Sequence, residues 1–82
     1  MEENELIQQL IPAVEQQLES PATPFVKDHF DALIEAGESA DEAKKMIALC
    51  LADETNRMFI EKRDFDLERY ASLIEELPDL PQ

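Results

Sequence analysis

Ile47, Leu51 and Met58 fall on one face of a helix drawn through residues 47–59, and Glu54 stands in the middle of that stripe. A carboxylate in the line of a core does not stay charged without a partner. Two kinds of chemistry use such a group: an acid, base or metal ligand with a shifted pKa, or an ion pair that closes a junction between helices. The side chains placed to pair with it are Arg57, one turn further on, and Arg69, Tyr70 or His29 from neighbouring helices. We read these five residues as a buried polar network that is structural, with Glu54 holding adjacent helices in register. Glu61 extends the stripe but stands near the helix end, in solvent.

The remaining reactive side chains form no known catalytic pattern. His29 is the only histidine and lies at the edge of an apolar arc, while Cys50, the only cysteine, faces the core side of its helix. A nucleophilic dyad needs an exposed, acidified thiol beside the imidazole. Free cysteines are commonly buried, so we read a core thiol and a boundary imidazole. Asp64, Asp66, Glu68, Ser72 and Glu75 match the spacing of a calcium loop, but Arg69 occupies the place of the turn-forming glycine. Paired histidines, CxxC, phosphate-cradling glycine loops and nucleophile elbows do not occur in the sequence. No enzyme activity, cofactor or metal is expected.

Charge narrows the partners. Twenty acidic residues against seven basic ones give a net charge of −13 over 82 residues. Such a field repels phosphate backbones and anionic membrane surfaces, which argues against nucleic-acid and membrane partners. Residues 1–43 hold eleven acids and one basic residue, Lys27. Apolar residues make up 44% of the chain, enough to argue for folding rather than disorder. No run approaches a membrane span, the start MEENELIQQ does not resemble a secretory leader, and one cysteine forms no internal disulfide. A cytoplasmic protein is expected.

The elements that must position these residues are helices. One glycine, five prolines and no alternating apolar run point to an all-α bundle of four helices in a single domain, residues 1–82. A first helix spans 4–19, with Leu6, Leu10, Val14 and Leu18 at four-residue steps and either a kink at Pro12 or a division into two short helices with Pro12 in the first turn of the second. A second spans 24–36, with Thr23 as N-cap, Pro24 in the first turn and Gly37 at its end. Val26, Phe30, Leu33 and Ile34 share its core face, and Asp28, Asp31 and Glu35 line the opposite one. A third spans 40–62, opened by the capping box Ser39–Glu42. A fourth spans 67–77, with Asp66 as N-cap, Phe65 stapled to Tyr70, and Leu67, Tyr70, Leu73, Ile74 and Leu77 as its apolar face. Pro78 ends it, and 78–82 form an extended tail.

The third helix must be central, because Met46 to Ala52 are seven apolar residues in a row and a helix apolar on most sides is covered on most sides. Ala48, Ala52 and Phe59 make a second face on it, and Met46, Leu49 and Ile60 fall nearer the outside. These last three are candidate interaction residues for a protein partner or a second copy of the chain. Asp28, Asp31 and Glu35 form a separate candidate surface, imitating a phosphate row for a basic protein, although such runs are usually solvated faces. The passage through Gly37 looks like a helix-turn-helix, yet its would-be recognition helix opens with Ser39, Asp41 and Glu42, which suits no groove contact.

The pattern Gly37-x-Ser39-x-x-Glu42-Ala43, then Ile47-Ala48, Glu54, and Phe65-Asp66-x-x-Arg69-Tyr70-x-x-Leu73 closing on Leu77-Pro78 resembles small uncharacterised bacterial all-helical proteins over about residues 25–78. The resemblance implies an all-helical fold and a bacterial cytoplasmic origin, and it brings no functional residue with it. Together these readings point to a small non-enzymatic interaction or regulatory domain.

Overall fold

Each helix boundary follows from a few local residues. The computed structural model describes residues 2–77 as α1 (Glu2–Glu19), α2 (Pro24–Glu35), α3 (Ala40–Glu61) and α4 (Leu67–Glu75), an all-α bundle with α3 longest and central. The Leu6 side chain, the stop at Pro78 and the tail at 78–82 lie outside the described residues. The chain passes through Pro12 as one helix and does not divide there. Pro12 removes the donor for the Gln8 carbonyl, and both residues are exposed, where water can replace the lost bond.

Thr23 departs from its expected capping role. Its ψ of 58° turns the hydroxyl away from the α2 amides, and Oγ1 instead donates to the Gln17 carbonyl at 3.0 Å. The Gln17 carbonyl also accepts the Ser20 amide at 3.2 Å, so the hydroxyl is its second donor and ties the two helices at their corner. Pro24 alone opens α2, at the position where its missing N–H costs nothing. At the other end Gly37, at φ +107°, forms a Schellman turn: Glu38 N–H donates to Leu33 O and Gly37 N–H to Ile34 O, each at 3.0 Å.

Ser39 caps α3 by accepting the Glu42 amide at 3.1 Å. The reciprocal half of the box is not made: the Glu42 carboxylate lies 3.6 Å from Lys45 Nζ instead, an exposed pairing one turn along the helix. Asp66 caps α4 through the Arg69 amide at 3.1 Å, and Phe65 packs edge-on against Tyr70 with centroids 5.5 Å apart, as the staple requires. The last residues expected in α4 tighten into a turn, with Leu77 N–H donating to Ile74 O.

The core gathers Val14 of α1, Val26 and Leu33 of α2, Ala43, Ile47, Ala48, Cys50 and Leu51 of α3, and Tyr70, Ile74 and Leu77. α3 packs against each of the other three helices, so its apolar run is covered from several sides. Ile34 and Leu67, read as core from periodicity, are exposed. α2 docks through Val26 and Leu33, which turns Ile34 outward, and Leu67 begins α4 before that helix reaches its contact at Tyr70. A Cα radius of gyration of 12.1 Å matches the about 12 Å of a compact chain this long. Among the described residues no helix is long and apolar enough to cross a membrane.

Candidate functional site

Glu54 is fully buried, and its two oxygens are saturated with donors. Oε2 accepts Arg63 Nη1 at 2.6 Å and the Asp66 amide at 2.7 Å, while Oε1 accepts Arg69 Nη1 at 2.9 Å and Arg63 Nη2 at 3.1 Å. A carboxylate offers about four lone-pair directions, so no acceptor capacity is left. The Arg63 grip is the two-pronged form that a planar guanidinium makes with a carboxylate. The cluster then spreads outward: Arg63 Nε reaches Glu61 at 2.7 Å, Arg63 Nη1 also reaches the Asp64 carbonyl at 2.9 Å, and Arg69 Nη2 reaches Asp53 at 2.7 Å.

The backbone makes this possible at Lys62. This residue adopts the left-handed conformation, φ 55° and ψ 49°, and closes α3 with Arg63 N–H on Met58 O. The chain therefore reverses in one step, and Arg63, which would otherwise continue outward along α3, swings back along the helix toward Glu54. Asp66 has two jobs at the same corner. Its side chain caps α4 and its amide donates to Glu54.

The electrostatics follow from these bonds. The hydrogen bonds from Arg63 are the main cause that holds the Glu54 carboxyl down at about 2, and the Asp66 amide and Arg69 act in the same direction against the opposing effect of burial. Glu54 raises both arginines above their ordinary values in return, chiefly through the same hydrogen bonds. Every buried side-chain polar atom among the described residues has a partner.

Of the residues expected around Glu54, only Arg69 is there. Arg57 lies on the exposed side of α3 and approaches Glu61 at 3.8 Å, because the one-turn step from Glu54 carries it past the corner instead of into it. Tyr70 is buried, but its hydroxyl points away from the cluster and donates to Gln17 Oε1 of α1. Burial is the main cause that raises its pKa. His29 Nε2 sits 3.4 Å from the Leu77 carbonyl, beyond the opposite end of α4 from Arg69. Arg63, Asp53 and the Asp66 amide were missing from the expected set. Arg63 reads from sequence as a charge at a helix end, and only the turn at Lys62 brings it inward.

Cys50 is fully buried in the core, and desolvation pushes its thiol up to about 12, the reverse of what a nucleophile needs. On α2, Asp28, Asp31 and Glu35 are all exposed, with Lys27 Nζ bound to Asp31 at 2.9 Å.

The apolar surface is distributed differently from its expected form. Met46 and Leu49 are half-buried against the core, whereas Ile60 is 62% exposed. Phe59, expected on a covered second face of α3, is 71% exposed. It borders a shallow hollow of about 200 Å³ lined by Leu10, Ala52, Thr55 and Asn56, between α1 and α3. The chain matches no protein-family model, no curated protein and no solved structure.

Proposed function

We propose that this chain is a small protein–protein interaction or regulatory domain without catalytic activity, working in the cytoplasm. The observation that carries the reading is the pair Phe59 and Ile60, consecutive large apolar side chains 71% and 62% exposed on the last turns of the central helix, beside the hollow at Ala52. A domain this small has little apolar surface to spare, and a grouped patch costs it solubility unless a partner covers it. Glu54 supports the non-catalytic part: a carboxylate with all its lone pairs engaged has none left for substrate, proton or metal. The charge of −13 supports a protein partner over nucleic acid or an anionic membrane. The likeness to small bacterial all-helical proteins is part of the same reading.

A second reading has the exposed carboxylates Asp28, Asp31 and Glu35 receive a basic protein. The two separate by affinity capture from the source cells with three baits. A protein retained by the wild type and lost on Phe59→Asp with Ile60→Asp supports the apolar surface. One lost on Asp28→Asn, Asp31→Asn and Glu35→Gln, and released as salt rises past about 0.15 M, supports the acidic one. Retention unchanged by either set overturns both.

A further inference from the structure

We propose that α1 is a strap that lifts off as one piece, turning at the Ser20–Thr23 corner while α2, α3 and α4 stay folded together, and that low ionic strength favours the lifted form. The inference stands apart from the interaction reading above. What holds each helix differs in kind. α3 and α4 are fastened through the buried Glu54 carboxylate, which accepts from Arg63, Arg69 and the Asp66 amide. α1 is held by apolar seats, chiefly those of Ile7 and Val14, by the Tyr70 hydroxyl on Gln17, and by the exposed pair of Glu15 with Lys44 at 3.0 Å. Exposed pairs contribute little. Among the described residues no Cα of α4 comes within 8 Å of one in α1, so the Glu54 corner does not brace α1.

Charge and backbone both work against its docking. Of the four helices α1 alone carries a proline in its interior, and Pro12 takes one bond from the middle of its ladder. Residues 2–19 hold five glutamates and no basic residue, while the rest of the chain holds fifteen acids against seven bases. Docking therefore brings two like-charged bodies together, and among the described residues Lys44 is the one base that meets a carboxylate of α1. Salt screens this repulsion over a Debye length of about 10 Å at 0.1 M, so the closed form gains as ionic strength rises.

The corner turns without growing. Pro21 and Pro24 bracket it, and Pro24 holds Thr23 out of helical backbone, so α1 and α2 do not merge into one helix when α1 lifts. Its bonds are local: Ser20 Oγ accepts the Ala22 amide at 3.2 Å, and Thr23 Oγ1 donates to the Gln17 carbonyl. The Tyr70 hydroxyl loses Gln17 on opening, and the water that enters replaces it, so no hydrogen bond is left unmade. Opening uncovers the seats of Ile7 and Val14 and draws Leu10 from the hollow at Ala52, which leaves α3 bare along one side in the second form.

Native-state hydrogen exchange on the full chain, read amide by amide, tests it. Relative to their intrinsic rates, the amides between Leu10 and Leu18 exchange at least about a hundredfold faster than those between Ile47 and Leu51. Arg63→Ala weakens the corner in the closed and lifted forms alike, so it speeds exchange in α3 by about tenfold or more and leaves α1 unchanged. Ile74→Val, a milder change in the core of α4, does the same by about two- to tenfold and keeps the test open if Arg63→Ala does not fold. Raising salt from about 0.05 to 0.5 M slows exchange in α1. Equal protection of α1 and α3 overturns the strap. So does a corner variant that speeds both helices together, because α1 then opens only when the whole chain does. Exchange in α1 that salt leaves unchanged or speeds overturns the control by ionic strength.

Discussion

Arg63 grips Glu54 with two nitrogens, at 2.6 and 3.1 Å, although it lies beyond the end of the helix that carries Glu54. The left-handed turn at Lys62 converts a position that would trail into solvent into a clamp on the core side of α3. With the Asp66 amide and Arg69 on the same carboxylate, the corner between α3 and α4 is fastened at one buried point. Replacing such a cluster with well-packed apolar residues is often neutral, whereas removing one member strands the others.

Glu54→Gln keeps the shape but leaves Arg63 and Arg69 underpaired, so it lowers stability by about 1 to 3 kcal/mol in urea unfolding. Arg63→Ala has a loss of the same order, while Arg57→Ala, on an exposed pair, stays within about 0.5 kcal/mol. Equal losses for Arg57→Ala and Arg63→Ala count against the corner as described.

Acid sensitivity follows from the Glu54 carboxyl, which is held at about 2 in the fold against an ordinary 4.5. A depressed folded pKa means the ionised form is the one the fold prefers. Its stabilisation is complete above about pH 4.5 and is lost as pH falls toward 2. The measurement is the difference in unfolding free energy between wild type and Glu54→Gln across that window, which cancels the other carboxylates. The difference shrinks as pH falls. A constant difference refutes the assignment.

Cys50 acts at the other end of the scale. Burial lifts its thiol to about 12 from 9.0, so the fold prefers the neutral form, and this contribution is intact below about pH 9 and declines as pH rises through 12. Aromatic disulfide reagents should label Cys50 only as fast as the chain unfolds, at a rate that climbs with urea. Labelling of native protein at the rate of a free thiol contradicts a buried Cys50.

Two turn positions should respond with opposite signs. Lys62→Gly relieves a left-handed residue with a side chain and should stabilise by up to about 1 kcal/mol, because the clamp depends on the turn and not on the Lys62 side chain. Gly37→Ala, at φ +107° with open space around it, should destabilise by about 1 kcal/mol through backbone strain alone. Thermal melts of the two variants moving the same way would exclude this account.

Much of the fold is legible because its signals are local. Ser39, Asp66, Pro24 and Gly37 each act on amides or carbonyls within a few residues, and the staple of Phe65 on Tyr70 spans one cap. Glu54 is legible as a residue in need of partners. Its partners are not, because a reversal built on lysine in place of glycine carries no sequence mark, and without it Arg57 looks nearer than Arg63. The outer face of α3 is obscured by its own composition: seven apolar residues in succession show that several sides are covered, and periodicity alone does not say that the uncovered side begins at Phe59. Thr23 misleads for a similar reason, since a hydroxyl before proline can serve the helix behind it as well as the one ahead.

The bonds around Glu54 close over only nine to fifteen residues of chain, whereas the Tyr70 hydroxyl reaches Gln17 across 53. Short loops close first, because ordering them sacrifices little chain entropy. The α3–α4 corner is therefore expected to form early in refolding and α1 to dock late. In stopped-flow experiments Arg63→Ala should slow folding, and Val14→Ala should chiefly speed unfolding.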